Sequence, residues 1–400
     1  MQRNFSSRVL LAALLLSEAA HAAPTIKDAL DSAWARHPAA QSRAAHLDEN
    51  SARRDLASSW LADAPRVSIG QKTDRWNQNA GAREWEAEIA VPLQLPGLRA
   101  ARGTVAASEL TQYDARTAAE KWRLAGEVRE AYWQARIAAG DLLLAERKVA
   151  DARLLSADAE RRFRAGDIAR TDWNQAEGAL RLAQSAHADL RAKAYRAERA
   201  FFGLTAVSQI PADQESLASA SAVLDDHPQL LEQMRDADTA RARQQEEHAA
   251  RRDPPELSLG TVRERSAFGE SSAGSVMLRL TVPLASGARN RSRLAAASAG
   301  RIEAEARVLQ ARARIEADIA AAAEEVAQST QQVEFAAARF ALSRETHELL
   351  DKSYRLGELD LPARLRAEAD RFDAELSLSR ARLERSRNIS RFNQANGLLP

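Results

Sequence analysis

The feature that most constrains this chain is that it repeats itself at a fixed offset. His37-Pro38 returns as His227-Pro228, and Pro65-Arg66-Val67-Ser68-Ile69-Gly70 returns as Pro255-Glu256-Leu257-Ser258-Leu259-Gly260, both displaced by 190 residues. Val91-Pro92-Leu93 matches Val282-Pro283-Leu284, and Phe163-Arg164-Ala165-Gly166-Asp167-Ile168 matches Tyr354-Arg355-Leu356-Gly357-Glu358-Leu359, now displaced by 191. Phe201 and Phe392 share that second offset, so one residue is absorbed in an intervening loop. Two copies are too few for a solenoid array. The chain divides into residues 1–22, a first repeat over 23–210 and a second over 211–400.

Each repeat contains the same local patterns. Over Ser275–Leu284, Val276, Leu278, Leu280, Val282 and Leu284 alternate with Ser275, Met277, Arg279, Thr281 and Pro283. Trp85, Ala87, Ile89, Val91 and Leu93 alternate in the same way with Glu86, Glu88, Ala90 and Pro92. A strict period of two predicts strands with one apolar and one more polar face. About ten residues is also the length of a tilted strand that crosses a bilayer. The strands opening at Pro65 and Pro255 carry Val67 and Ile69 or Leu257 and Leu259 on the apolar side, so each repeat holds a hairpin. The polar stretch Lys72–Glu84 is the first hairpin's loop.

Around the hairpins the periodicity is helical. Ile26–Arg36 reads as a short amphipathic helix stopped by His37-Pro38, and a second helical stretch follows from about Ala39 to Ala62. From Gly97 to Phe163 there is no proline, and Leu98, Val105, Leu110, Val128, Leu142, Val149 and Leu155 fall at helical spacings. That predicts one helix, or two nearly collinear ones, of roughly 100 Å at 1.5 Å per residue. Arg164-Ala165-Gly166-Asp167 breaks it, and another helix runs from about Asp172 to Phe202. The expected unit is helix, hairpin, very long helix, turn, helix, twice over: mainly α, with a small β part.

Several function classes are excluded. Arg3 and Arg8 precede the apolar run Val9–Leu16, and Ala20-His21-Ala22 offers a small-x-small cleavage site, so residues 1–22 are expected to be a secretory signal. Their removal takes away Arg3, Arg8 and Glu18 and leaves equal numbers of acidic and basic side chains. That balance argues against nucleic acid as partner. Without cysteine there is no disulfide, thiolate metal site or N-terminal lipid anchor. The seven histidines have no H-x-x-H or H-x-x-x-H spacing, and His37 and His227, each before a matched proline, read as structural. No G-x-S-x-G, Walker A or H-E-x-x-H motif occurs. Neither an enzyme nor a bound cofactor is expected.

Two hairpins supply four strands, too few to close a barrel, and an isolated hairpin is barely stable. Three chains would supply twelve strands that close without edges around a lumen, above a tube of two long and two composite shorter helical columns per chain. In this pattern the chain resembles the TolC-like outer-membrane factors, the trimeric exit ducts of Gram-negative efflux and type I secretion systems. The residues that carry the resemblance are the two Val-Pro-Leu strand ends and the Arg162-Phe163-Arg164-Ala165-Gly166 turn with its second copy, Ser353-Tyr354-Arg355-Leu356-Gly357. The resemblance implies a trimeric β-barrel in the outer membrane and an α-helical barrel across the periplasm. It also implies a periplasmic adaptor (membrane fusion protein) and an inner-membrane transporter as partners, and outer-membrane lipid as surroundings. Efflux of small molecules or metal cations is the leading expectation, with a type I protein-secretion duct or a soluble periplasmic coiled-coil scaffold as alternatives.

On this resemblance the turns become periplasmic tips, where the pore constricts and the adaptor docks. The candidate tip residues are Arg164, Gly166, Asp167, Asp172, Tyr354, Arg355, Gly357, Glu358 and Asp360. Gly166 and Gly357 read as C-cap glycines. Arg164 and Arg355 either anchor tip salt bridges or decorate a solvated end. Asp172 fits a helix N-cap with Gln175 three residues on, and threefold symmetry would also bring three copies toward an axis as a cation-favouring ring. Its second-repeat counterpart is Ala363, while Asp360 reads as the cap of a helix with Pro362 in its first turn. The candidate membrane-crossing residues are Val67, Ile69, Trp85, Ile89, Val91, Leu257, Leu259, Val276, Leu278, Leu280 and Val282. Trp76 and Trp85 flank the first hairpin as interfacial aromatics. All seven tryptophans lie in the first repeat, which leaves Phe268 in the second hairpin's loop.

Overall fold

The computed structural model describes residues 24–218, 223–250, 253–284 and 287–400; the expected secretory signal lies outside them. Each very long helix is continuous. α4 (Pro96–Ala165) has 70 residues and α7 (Gly287–Arg355) has 69, about 105 Å each at 1.5 Å per residue. No helix among the described residues is long and apolar enough to cross a membrane.

Shorter helices complete two composite columns. In the first repeat α1 (Ile26–Arg36), α2 (Pro38–Gln41) and α3 (Arg43–Ser58) sit above α5 (Arg170–Thr205). In the second, α6 (Pro228–Ala249) sits above α8 (Leu361–Ala395). The expected helix over residues 39–62 is therefore interrupted at Ser42 and ends at Ser58. It stops there because the following backbone joins the sheet: Gln94 donates to Trp60 O at 2.9 Å, Ala62 donates to Pro92 O at 3.0 Å, and Leu61 bridges Leu93.

The matched His-Pro pairs do the same local work. His37 Nδ1 accepts from Ala39 N at 3.3 Å and caps α2, while His227 Nδ1 accepts from Gln229 N at 3.2 Å and caps α6. The proline that follows occupies the first helical position, where a missing N–H costs nothing. Burial holds the His227 imidazole below its ordinary pKa, in keeping with its acceptor role. Gly397 closes the seam between α8 and α6. Its φ is +79°, and a Cβ there would lie 2.8 Å from Pro228 Cδ, so only glycine fits.

The hairpins form one antiparallel sheet in the order β1 (Arg66–Thr73), β2 (Arg83–Pro92), β3 (Glu256–Arg265), β4 (Ala273–Thr281). Val67, Ile89, Leu259 and Leu278 form one cross-strand row, and Ile69, Ala87, Thr261 and Val276 the next. β4 starts and ends earlier than expected, which puts Val282 and Leu284 outside the strand. Thr281 is the last residue facing a partner, Glu256, and among the described residues β4 has no strand on its other side. Val91 stays within β2 because β3 still pairs with it there.

The core lies where α1, α4 and α5 meet, around Ile26, Leu30, Val128, Tyr132, Trp133 and Phe201. Trp133 Nε1 donates to Ser390 Oγ at 2.9 Å, which ties α4 to α8. Beside it Arg129, only 3% exposed, donates to the Glu215 carboxylate from Nη2 at 2.6 Å and from Nε at 2.9 Å, and its Nη1 donates to Leu398 O at 2.9 Å and to Gln394 Oε1. One guanidinium thus joins the first repeat, the connector after α5 and the C-terminus. Replacing Arg129 with Ala strands the Glu215 carboxylate, so we expect a loss of about 3–5 kcal/mol. Denaturant unfolding followed at Trp133 checks this; a loss below about 1 kcal/mol, the range of an exposed pair, would show that the network is dispensable.

Candidate functional site

The end of the molecule opposite the sheet is built from two matching turns. In each, a helix stops at a left-handed glycine, Gly166 at φ +87° and Gly357 at φ +77°. Gly166 N donates to Phe163 O and Asp167 N to Arg162 O; Gly357 N donates to Tyr354 O and Glu358 N to Ser353 O. These are Schellman closures, which satisfy carbonyls that a helix end otherwise leaves unpaired. Asp167 and Glu358 therefore contribute backbone N–H groups to the turns while their side chains face solvent.

The two turns pack on one another. Leu155, Ala159, Ala176, Tyr354 and Leu361 form a buried cluster to which α4, α5, α7 and α8 all contribute. Within it the repeats differ at matched positions. Phe163 stacks on Trp173 with ring centroids 5.4 Å apart, whereas the equivalent Tyr354 has Arg364 at 5.3 Å from its ring and Arg162 at 4.9 Å. Cations on an aromatic face are favoured electrostatically, so Tyr354, 5% exposed, takes two guanidinium contacts where Phe163 has an indole. Burial raises the pKa of its phenol, which keeps it neutral.

The remaining tip residues have defined partners. Arg164 pairs with Glu160 at 2.5 Å and Arg355 with Asp351 at 2.6 Å, each within its own helix and each largely exposed. Asp360 caps α8 by accepting from Ala363 N at 3.1 Å, with Pro362 in the first turn. Asp172 does not cap α5. Ala169 holds that position, its carbonyl receives Asp172 N at 3.1 Å, and Asp172 sits in the first turn, where the helix dipole favours a carboxylate.

Sequence reasoning passed over a charged cluster beside Tyr354. Arg364 pairs with Asp351 at 2.6 Å, Arg371 with Asp151 at 3.3 Å, and His347 and Glu368 are set among them. The residues belong to α4, α7 and α8, with offsets as large as 220 residues, so no local pattern announces them. Burial, then the Arg371 charge, pushes the His347 pKa below 6.5, and its Nε2 has no hydrogen-bond partner among the described residues. Burial also raises the Glu368 carboxyl against the opposing pull of Arg364.

The candidate strand residues occupy one face. Val67 and Ile69 of β1, Trp85, Ile89 and Val91 of β2, Leu257 and Leu259 of β3, and Val276, Leu278 and Leu280 of β4 all alternate outward. Most are exposed; Val276 reaches 77% and Ile69 74%. The opposite face carries Glu84, Glu86, Glu88, Glu256 and Glu264 with Arg66, Lys72 and Arg279. Lys72 lies 3.7 Å from Glu84 and Arg279 3.3 Å from Glu88, and Arg66 pairs with Glu256. Glu86 and Glu264 have no cation partner among the described residues.

A duplicated helical column structure with paired tips at one end and an open-edged amphipathic sheet at the other defines a TolC-like α-barrel/β-barrel channel chain. Residues 29–207 match the family model described as Outer membrane efflux protein. Among solved structures the chain is similar to the outer membrane protein VceC of Vibrio cholerae, with TM-score 0.72, 16% identity, and 93% of this chain and 96% of that one covered. It is similar to the CmeC outer membrane channel of Campylobacter jejuni at TM-score 0.73 and 13% identity, over 99% and 94% of the two chains. For the open state of the MtrE outer membrane channel of Neisseria gonorrhoeae the values are 0.74 and 18%, over 94% and 89%. No curated protein sequence matches this chain. Residues 29–207 thus match the outer membrane efflux protein family and nearly the whole chain has the TolC-like fold; the matched family and the similar structures are channel proteins, not enzymes.

The tip cluster yields a pH prediction. With its folded pKa lowered, His347 contributes stability that is present above 6.5 and lost as pH falls through the lowered value. Glu368, raised, acts in the opposite sense: its contribution is present below 4.5 and lost as pH rises. Amide protection, taken relative to the intrinsic exchange rate, in the last turns of α7 and first turns of α8 should therefore fall more between pH 7 and pH 5 in the wild type than in His347→Gln. An unchanged response in His347→Gln would remove this imidazole as its source.

Proposed function

We propose that three copies of this chain join their sheets into a 12-stranded barrel in the outer membrane, over a periplasmic tube of helices, and act as a passive exit duct for small molecules or metal cations. In this reading the repeats, residues 23–210 and 211–400, each supply one hairpin and one tip. An inner-membrane pump supplies the energy through a periplasmic adaptor docked at the Gly166 and Gly357 turns. The observation that carries the proposal is the sheet. Its apolar face is exposed, and β1 and β4 have unpaired edges among the described residues. In water such a sheet would aggregate; closed threefold in lipid, it has no edges and its apolar rows meet acyl chains.

The sheet's other face would line the lumen. Five carboxylates against three cations leave it acidic, and acidic linings favour cations. Asp172, half-buried near Tyr354, would add three carboxylates at the constricted end. The mature protein should fractionate with the outer membrane as a heat-modifiable trimer, and a soluble periplasmic monomer or dimer would sink the barrel. In planar bilayers, Asp172→Ala should lower cation selectivity severalfold; unchanged selectivity would remove the tip ring. Glu86→Gln with Glu264→Gln tests the barrel lining in the same assay.

A further inference from the structure

The charges on the sheet are sorted by face and by height. All five strand carboxylates, Glu84, Glu86, Glu88, Glu256 and Glu264, lie on the face with Arg66, Lys72 and Arg279. The apolar face carries no carboxylate. It does carry three arginines, Arg83 of β2 and Arg263 and Arg265 of β3, all at the loop end, beyond the rows of Val, Ile and Leu. Arg83 stands directly opposite Arg265 in the register, and Arg263, opposite Trp85, is next along the same face.

Like charges directly opposed across a ladder destabilise it, so this placement demands a compensating group. Among the described residues none is supplied: the Arg83 and Arg263 side chains make no hydrogen bond or ion pair there. Arg265 donates from Nε to Gly81 O at 3.2 Å and lies 5.8 Å from the Phe268 ring, both neutral groups. An anion from outside the chain would satisfy the cluster, and the cluster's position points to its kind. The cluster caps an apolar band, and it is flanked by Trp85 and, in the adjoining loop, by Trp76, 91% exposed. Tryptophan in that setting marks the level of lipid headgroups.

We propose that Arg83, Arg263 and Arg265 form, on each protomer, a site for the phosphate-bearing headgroup of an anionic lipid in the outer leaflet; the proposal rests on the channel reading above. Guanidinium groups suit the task because their planar donor forks match phosphate oxygens. The acyl chains of the same lipid lie along the Val, Ile and Leu rows below. All three arginines are on the two central strands, so the site is complete within one chain.

The test compares wild type with Arg83→Gln/Arg263→Gln, both extracted from outer membrane in mild detergent. Lipid phosphorus retained per trimer is measured, followed by rebinding to nanodiscs of zwitterionic lipid with and without an anionic phospholipid. Retention and anionic-lipid rebinding should fall about thirtyfold in the variant, as the loss of two headgroup-level charges implies, and Arg83→Lys/Arg263→Lys should keep most of both. Millimolar inorganic phosphate should not displace the lipid. Equal retention in the Gln variant, or equal rebinding to purely zwitterionic discs, would overturn the site; displacement by inorganic phosphate would show a small-anion site and overturn the lipid assignment. If the Gln variant fails to insert, the wild-type comparison of the two disc types decides alone. A wild-type chain missing from the outer membrane would sink the channel reading and the site together, whereas an inserted trimer with no lipid preference sinks only the site.

Discussion

The guanidinium of Arg129 is the point on which the two repeats depend. A helix of 69 or 70 residues cannot bury its own apolar stripe, and this chain has two, one on either side of the connector that follows α5. Arg129 draws that connector in through Glu215 and holds the C-terminus through Leu398, all beside the Trp133–Ser390 hydrogen bond. A buried charge is costly unless its partners are complete, and here the fork is filled. The consequence is geometric: α6 and α8 meet end to end near Trp122, whose indole N–H reaches Gln394 O at 3.0 Å. Along α4, the sheet-side half then faces α6 and the tip-side half faces α8, as the pairs Arg102–Glu246 and Asp141–Arg380 record.

That alignment carries through to both ends. At one end it sets the hairpins side by side, so that β2 and β3, more than 160 residues apart in sequence, share a continuous register. Four strands remain too few to close, and the edges of β1 and β4, unpaired among the described residues, are what the proposed trimer would join. At the other end it brings the two glycine turns together, so that Arg162 of the first repeat reaches the Tyr354 ring of the second.

Duplication did not produce identical parts. At the tips the aromatic pair Phe163–Trp173 has Tyr354–Arg364 as its counterpart, which accounts for one of the tryptophans missing from the second repeat. In the hairpin loops, Phe268 packs on Gly81, where an added Cβ would lie 2.5 Å from Phe268 N. The second loop is thereby seated on the first, and both loops stay largely exposed.

What the amino-acid sequence determined by itself is everything governed by short periods. The proline-free helical run of α4, the strand alternation and the glycine turns are all local, because backbone sterics act over a few residues, and the offset between the repeats is read by matching such local patterns. The same locality explains the misses. Asp172 carries the signature of a cap, yet Ala169 starts the helix; Val282 continues an alternation, yet its strand has ended for want of a partner. Only the tertiary structure decided which distant groups share a space: Arg129 with Glu215 and Leu398, His347 with Arg371, and Arg83 facing Arg265 across two hairpins. Each of those pairings follows from how whole columns and strands align, and alignment is set by burial and ladder pairing summed over many residues, which no window of the sequence contains.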